Sequence, residues 1–128
     1  MDEVTPDDRT FDLLAASLRA NASDMSTFVP VLAEKLMAAL PNRVTVQRAG
    51  VLRHGPAQGV VVELEPWRFA VRFEHGRPIA ERTHTVRGIA LKSEPLALDT
   101  WIDALTTALA ELAATDQRER AAVMRLLT

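Results

Sequence analysis

The chain of 128 residues contains no cysteine and no tyrosine, and aromatic residues make up only 5% of it. Without cysteine there is no disulfide framework, no thiol nucleophile and no cysteine-based metal site. No apolar run approaches the roughly 18 residues that a membrane-spanning helix needs. Residues 1–9 carry four acids and no apolar run, unlike a secretory signal. We therefore expect a cytoplasmic protein without membrane contact.

Motifs for catalysis or phosphate binding are also missing. The glycines between residues 50 and 59 lie in a connection between two expected strands, so no helix N-terminus follows them to bind phosphate. No serine stands in a G-x-S-x-G or S-x-x-K motif. His54, His75 and His84 lack the spacing of metal ligands. We predict no catalytic residue, no cofactor and no metal ion, and a protein that is not an enzyme.

The composition that remains is typical of a soluble globular domain, with 48% hydrophobic and 25% charged residues. A chain of this length buries roughly two thirds of its unfolded surface, which is enough for one core. We expect a single domain over residues 1–128, with disorder limited to residues 1–6.

Both ends of the chain show helical periodicity. Two amphipathic segments precede Pro41-Asn42 and are separated near Ser23-Asp24. Near the other end, Asp99 is expected to cap a third helix, and Thr115-Asp116 separates it from a fourth. The apolar stripe of the second helix is expected to face inward: Met25, Phe28, Val29, Leu32, Leu36 and Leu40.

Between these helices the period changes to two. Two alternating segments, 43–47 and 60–65, precede the clearest one at 67–74, where four large apolar side chains share one parity. Arg68 and Arg72 occupy the other parity, so the sheet is expected to have one buried and one wet face. We predict that Trp67 and Phe69 are largely buried and that the two arginines point away from the core.

The next segments contain two turn signals. His75-Gly76 predicts a tight turn. The apolar parity changes across Arg87-Gly88, so residues 78–93 form either one strand with a bulge at Gly88 or two shorter strands. The order is helix, helix, antiparallel meander of four or five strands, helix, helix. It predicts an α+β domain with its helices packed on one sheet face.

Charge is sorted along the chain. Residues 41–92 carry a net charge of about +5 between acidic ends, in a chain of formal net charge −2. This basic region suits a polyanion, an acidic protein partner or the molecule's own electrostatics. We predict five arginines as possible anion or partner contacts: Arg48, Arg53, Arg68, Arg72 and Arg82.

Two functions for these charges are disfavoured. Glu63 and Glu65 could form an acid–base pair, but a cross-strand ladder with Arg68 and Arg72 explains them more simply. Nucleic-acid binding is not expected because the arginine face lacks aromatic residues for stacking and the pI is near 5.9.

Two runs, 28–46 and 86–102, resemble small α+β proteins of GC-rich bacteria, and this resemblance implies a fold class but no activity. The element order is similar to that of small secretion chaperones, which would imply a homodimer that binds partner segments. Two helices precede the sheet here, which departs from that pattern.

We interpret the chain as a non-enzymatic interaction or chaperone-like module that forms a homodimer. Apolar residues off the inward helix stripes favour this reading: Leu13, Val31, Met37 and Met124. One alternative is a nucleic-acid-binding regulator that uses the basic strands. Another is a small ligand-binding protein or enzyme with its pocket between the sheet and helix 99–112.

Overall fold

The computed structural model describes residues 8–22, 25–48, 55 and 57–126, and the predictions for residues 1–6, Arg53 and His54 fall outside these ranges. The described residues form an α+β fold, as predicted, with the following elements in chain order: α1 (Asp8–Ala22), α2 (Met25–Ala39), β1 (Val44–Arg48), β2 (Ala57–Leu64), β3 (Trp67–Glu74), β4 (Arg77–Val86), β5 (Ile89–Leu96), α3 (Leu98–Thr115) and α4 (Gln117–Leu126). None of the described helices is long and apolar enough to cross a bilayer.

The five strands form one antiparallel meander in the order β1-β2-β3-β4-β5. Helices α2 and α3 pack on one side of this sheet, which we call the inner side, while α1 and α4 pack mainly on α2 and α3. The other side, the outer side, carries no helix of the described chain. The predicted arrangement of helices on one sheet face is therefore confirmed.

The core lies between α2, α3 and the inner side of the sheet. The expected stripe of α2 is buried at Phe28, Val29, Leu32 and Leu36 because its spacing follows the helical turn. Trp101 on α3 is fully buried, and its ring meets the Phe69 ring edge-on at a centroid distance of 6.2 Å.

The register of β3 agrees with its sequence parity. Phe69 and Val71 are each 1% exposed and face α2 and α3, while Arg68 and Arg72 lie on the outer side. Trp67 is only half-buried, because it lies at the start of β3 beyond the best-covered part of the sheet. The prediction that Trp67 is largely buried was therefore wrong in degree, although its side of the sheet is correct.

Residues 78–93 contribute to two strands. Arg87 and Gly88 both have positive φ angles, 53° and 81°, as in the two-residue turns whose twist suits a hairpin. His75 and Gly76 form the other such turn, as predicted, with φ angles of 52° and 78°. The irregularity lies in β5, where the pairing register shifts opposite His84 and Thr85, and not at Gly88.

The predicted N-cap of α3 is also corrected. The helix begins at Leu98 with Ala97 in the cap position, and no side chain caps it. The carboxylate of Asp99 instead accepts a hydrogen bond of 2.6 Å from Arg19 Nε on α1. The side chain expected to cap α3 therefore forms an ion pair with α1 instead.

The buried position of Phe69 gives a direct test of the sheet register. Phe69→Ala should lower the free energy of unfolding by about 3–5 kcal/mol, because it removes a buried ring and leaves a cavity. Leu13→Ala is the control, since Leu13 is 66% exposed on α1, and should change the value by less than about 0.5 kcal/mol. Urea denaturation measures both, and equal effects would contradict the register.

Candidate functional site

The predicted contact arginines do not form one cluster. Arg68 and Arg72 lie on the outer side of the sheet, whereas Arg82 is opposite Phe69 in the register and therefore lies on the inner side. Arg48 is exposed at the end of β1, and the fifth arginine falls outside the described residues. The described basic residues thus present no single anion-binding face.

The outer side carries a ladder of ion pairs that matches the prediction only in part. Arg68 Nε contacts Glu63 at 2.6 Å as predicted, whereas Arg72 contacts Glu74 at 2.9 Å and Glu81 at 3.0 Å and has no contact with Glu65. The hydrogen bonds that Arg72 donates to both carboxylates raise the pKa of Arg72, and Arg72 in turn lowers the pKa of Glu74. These pairs are solvent-accessible and neutralise much of the ladder's charge.

Glu63 and Glu65, whose pairing as an acid–base site the sequence disfavoured, lie in different elements. Glu63 lies on β2, but Glu65 is exposed in the turn between β2 and β3. The ladder is therefore the better interpretation of Glu63.

Part of the inner side is left uncovered by the described helices. On β4 the inner parity changes from the buried Ala80 to the half-buried Arg82 and His84. Beyond them, Val86 and Ile89 form a cross-strand pair and are 46% and 66% exposed. Leu91 is 59% exposed. We call residues 86–92 the hairpin tip.

Trp67 is the centre of a cluster of Arg82 and His84 side chains beside this tip. The Arg82 guanidinium lies 4.2 Å from the Trp67 ring centroid, and the His84 ring lies 5.1 Å from it on the next strand. Arg82 also donates a hydrogen bond of 2.5 Å to Glu94 on β5, which lowers the pKa of Glu94. The cation–π contact and the ion pair together hold Arg82 across the indole face.

A groove runs from this cluster along α3. It contains two adjoining cavities of about 420 and 520 Å³ that share Trp67, Ala108 and Glu111. On its helix side α3 presents small residues, among them Ala104 and Thr107, at three- and four-residue spacing. These short side chains do not fill the space above Trp67. We call this space the Trp67 groove.

The charges of the groove are only partly neutralised. Asp103 pairs with Arg19, and Arg43 donates a hydrogen bond of 3.3 Å to the Glu63 carbonyl. The side chains of Glu65 and Glu111 line the groove, and neither carboxylate has a hydrogen bond or ion pair to a described residue. The groove therefore offers the part of Trp67 that Arg82 and His84 leave uncovered, flanked by two available carboxylates.

The geometry does not assemble a familiar reactive centre from the described side chains. The His84 ring contacts Trp67 at a tilt of 43°, and His75 is exposed in a turn. In the ranges that the structure covers, no three His, Asp or Glu side chains are grouped as metal ligands would be. Comparison with models of known families, curated proteins and solved structures finds no match to this chain.

Sequence reasoning offered a pocket between the sheet and helix 99–112 as an alternative, and the Trp67 groove lies between these elements, but it missed the role of Trp67 there and the hairpin tip. The available signal was the parity of β4, where Ala80, Arg82, His84 and Val86 share one side. Along this side of β4 the residues change from apolar to polar. The change indicates where the helices stop covering the sheet. The surplus apolar residues chosen from the helices were exposed at Leu13, Val31 and Met37, whereas Met124 is half-buried.

The cluster around Arg82 makes a prediction for acid titration. Because Arg82 lowers the pKa of Glu94, the pair stabilises the fold above the ordinary glutamate pKa of about 4.3, and this stability is lost as the pH falls through the lowered pKa. Carboxyl ¹³C NMR should give Glu94 a midpoint below the ordinary value, which rises in Arg82→Gln. An ordinary or raised midpoint in the unmodified protein would contradict the pairing.

Proposed function

We propose that this chain is a non-enzymatic protein-interaction module that binds a partner on the Trp67 groove and the hairpin tip. The observation that carries the proposal is the continuity of the two features on the inner side of the sheet. Trp67 pairs with His84 across β3 and β4, and the exposed Val86–Ile89 pair follows two residues further along β4, across β4 and β5. A folded domain rarely leaves such an apolar area in water unless it serves an interaction.

The residue types in this surface favour a protein partner. Aromatic and arginine side chains are enriched where protein interfaces bind most strongly, and Trp67 and Arg82 occupy the centre of the surface. Charged side chains surround this centre, as in the polar rim of an interface. We also propose a cytoplasmic location, in line with a chain that contains no cysteine.

A small ligand in the Trp67 groove is the second candidate. Cavities of about 420 and 520 Å³ are large enough for one, since ligand sites commonly span about 300–1,000 Å³. Native mass spectrometry of the protein purified from its host distinguishes the two. A bound small molecule that is lost in Trp67→Ala would favour the ligand site over the interaction module.

Nucleic-acid binding by the outer side is expected to be absent. The ladder neutralises Arg68 and Arg72, and no aromatic side chain lies beside them on that side of the described sheet. Fluorescence anisotropy with a mixed duplex and a single strand should show no binding near physiological salt. Micromolar binding that weakens steeply with salt, and is lost in Arg48→Glu with Arg53→Glu, would contradict the proposal.

Site-specific photo-crosslinking tests the interaction surface. A photoreactive residue at Thr107, which lines the groove, should give protein adducts in cells, whereas the same residue at Thr45 should not. Thr45 is the matched control because it is also an exposed threonine but lies on the outer side of β1. Equal adducts at both positions, or none at Thr107, would contradict the proposal.

A further inference from the structure

We propose that the partner is a second copy of this chain, and that the hairpin tip of each copy binds in the Trp67 groove of the other. This inference rests on the proposed function, because it uses the same surface. The resulting contact is reciprocal and closes after two copies, as a twofold dimer does.

The hairpin tip has the chemistry of a ligand for the groove. Its turn projects Arg87, its strands expose Val86, Ile89 and Leu91, and Lys92 follows. Residues 86–93 contain no acidic side chain. The tip is therefore both apolar and cationic.

The groove has the opposite charge. Glu65 and Glu111 are available, as described above, and they flank the apolar floor formed by Trp67 and Leu64. Among the charged residues that line the groove, carboxylates outnumber guanidiniums: Glu65, Asp103 and Glu111 against Arg43 and Arg82. A cationic apolar segment is thus complementary to the groove in charge and in polarity.

The position of the tip allows the exchange to be reciprocal. The Thr85 amide donates a hydrogen bond of 2.8 Å to the Pro66 carbonyl, so the tip leaves the sheet directly beside Trp67. Tip and groove are consequently neighbours on one side of the molecule. Two self-complementary neighbouring patches are what a twofold interface requires, since each copy then supplies both halves of the contact.

Pairing of the exposed β5 edges is a less suitable route to a dimer. The register of β5 shifts opposite His84 and Thr85, and the strand also carries Lys92 and Pro95. Irregularities, lysine and proline are the features by which edge strands resist pairing with another strand. The hairpin tip is therefore favoured over the edge.

A charge exchange tests this arrangement without depending on loss of folding. Glu65→Lys with Glu111→Lys gives a variant in which tip and groove are both positive, and Arg87→Glu with Lys92→Glu gives one in which both are negative. Each variant alone should be a monomer by sedimentation velocity at tens of micromolar, where the unmodified protein is a dimer. An equimolar mixture of the two variants should restore a dimer, because opposite charges then meet in both contacts. The positive tip of one variant meets the negative groove of the other, and the negative tip meets the positive groove.

Ile89→Asp tests the apolar contact of the tip, and Leu13→Asp is its matched control, since both side chains are 66% exposed. Ile89→Asp should abolish the dimer and Leu13→Asp should leave it intact. A monomeric unmodified protein, or a mixture that stays monomeric, would overturn the inference. If adducts at Thr107 then contain a different protein, the interaction module is retained with another partner, whereas no adduct removes both proposals.

Discussion

The contact between Trp101 and the sheet fixes the position of α3, and that position leaves the Trp67 groove open. The indole is fully buried, donates its N–H to the Glu81 carbonyl at 3.1 Å and meets Phe69 edge-on. It therefore fixes the first turn of α3 against β3 and β4. From that point α3 presents Ala104, Thr107 and Ala108 to the sheet, and these residues are too short to close the space above Trp67.

The two sides of the sheet use charge differently. On the outer side, Arg68 and Arg72 are matched by carboxylates on the same or the neighbouring strand, so this side needs no partner. On the inner side, Arg82 pairs with Glu94 and lies over the half-buried Trp67. Arg68, Arg72 and Arg82 are thus compensated locally, while Arg87 and Lys92 of the hairpin tip and the carboxylates of Glu65 and Glu111 in the groove have no ion pair to a described residue.

The helices, the strands and most of the core could be predicted from the sequence, because apolar residues repeat at short intervals in each helix and strand. The stripe of α2 and the alternation in β3 need only the spacing of side chains, and both were confirmed at Phe28 and Phe69. Asp99 was assigned wrongly as a cap because its partner Arg19 is 80 residues away. The extent to which helices cover the sheet is equally non-local, so the sequence suggested a pocket between the sheet and α3 but could not show that Trp67 lines it.

Intermolecular nuclear Overhauser effects in a mixture of differently labelled copies test the central claim most directly. One copy carries labelled methyl groups at Ile89 and Leu91, and the other carries labelled methyl groups at Ala104 and Ala108. The account predicts transfer of magnetisation between these two sets across the interface. No intermolecular transfer between these two sets in a sample that sediments as a dimer would contradict it.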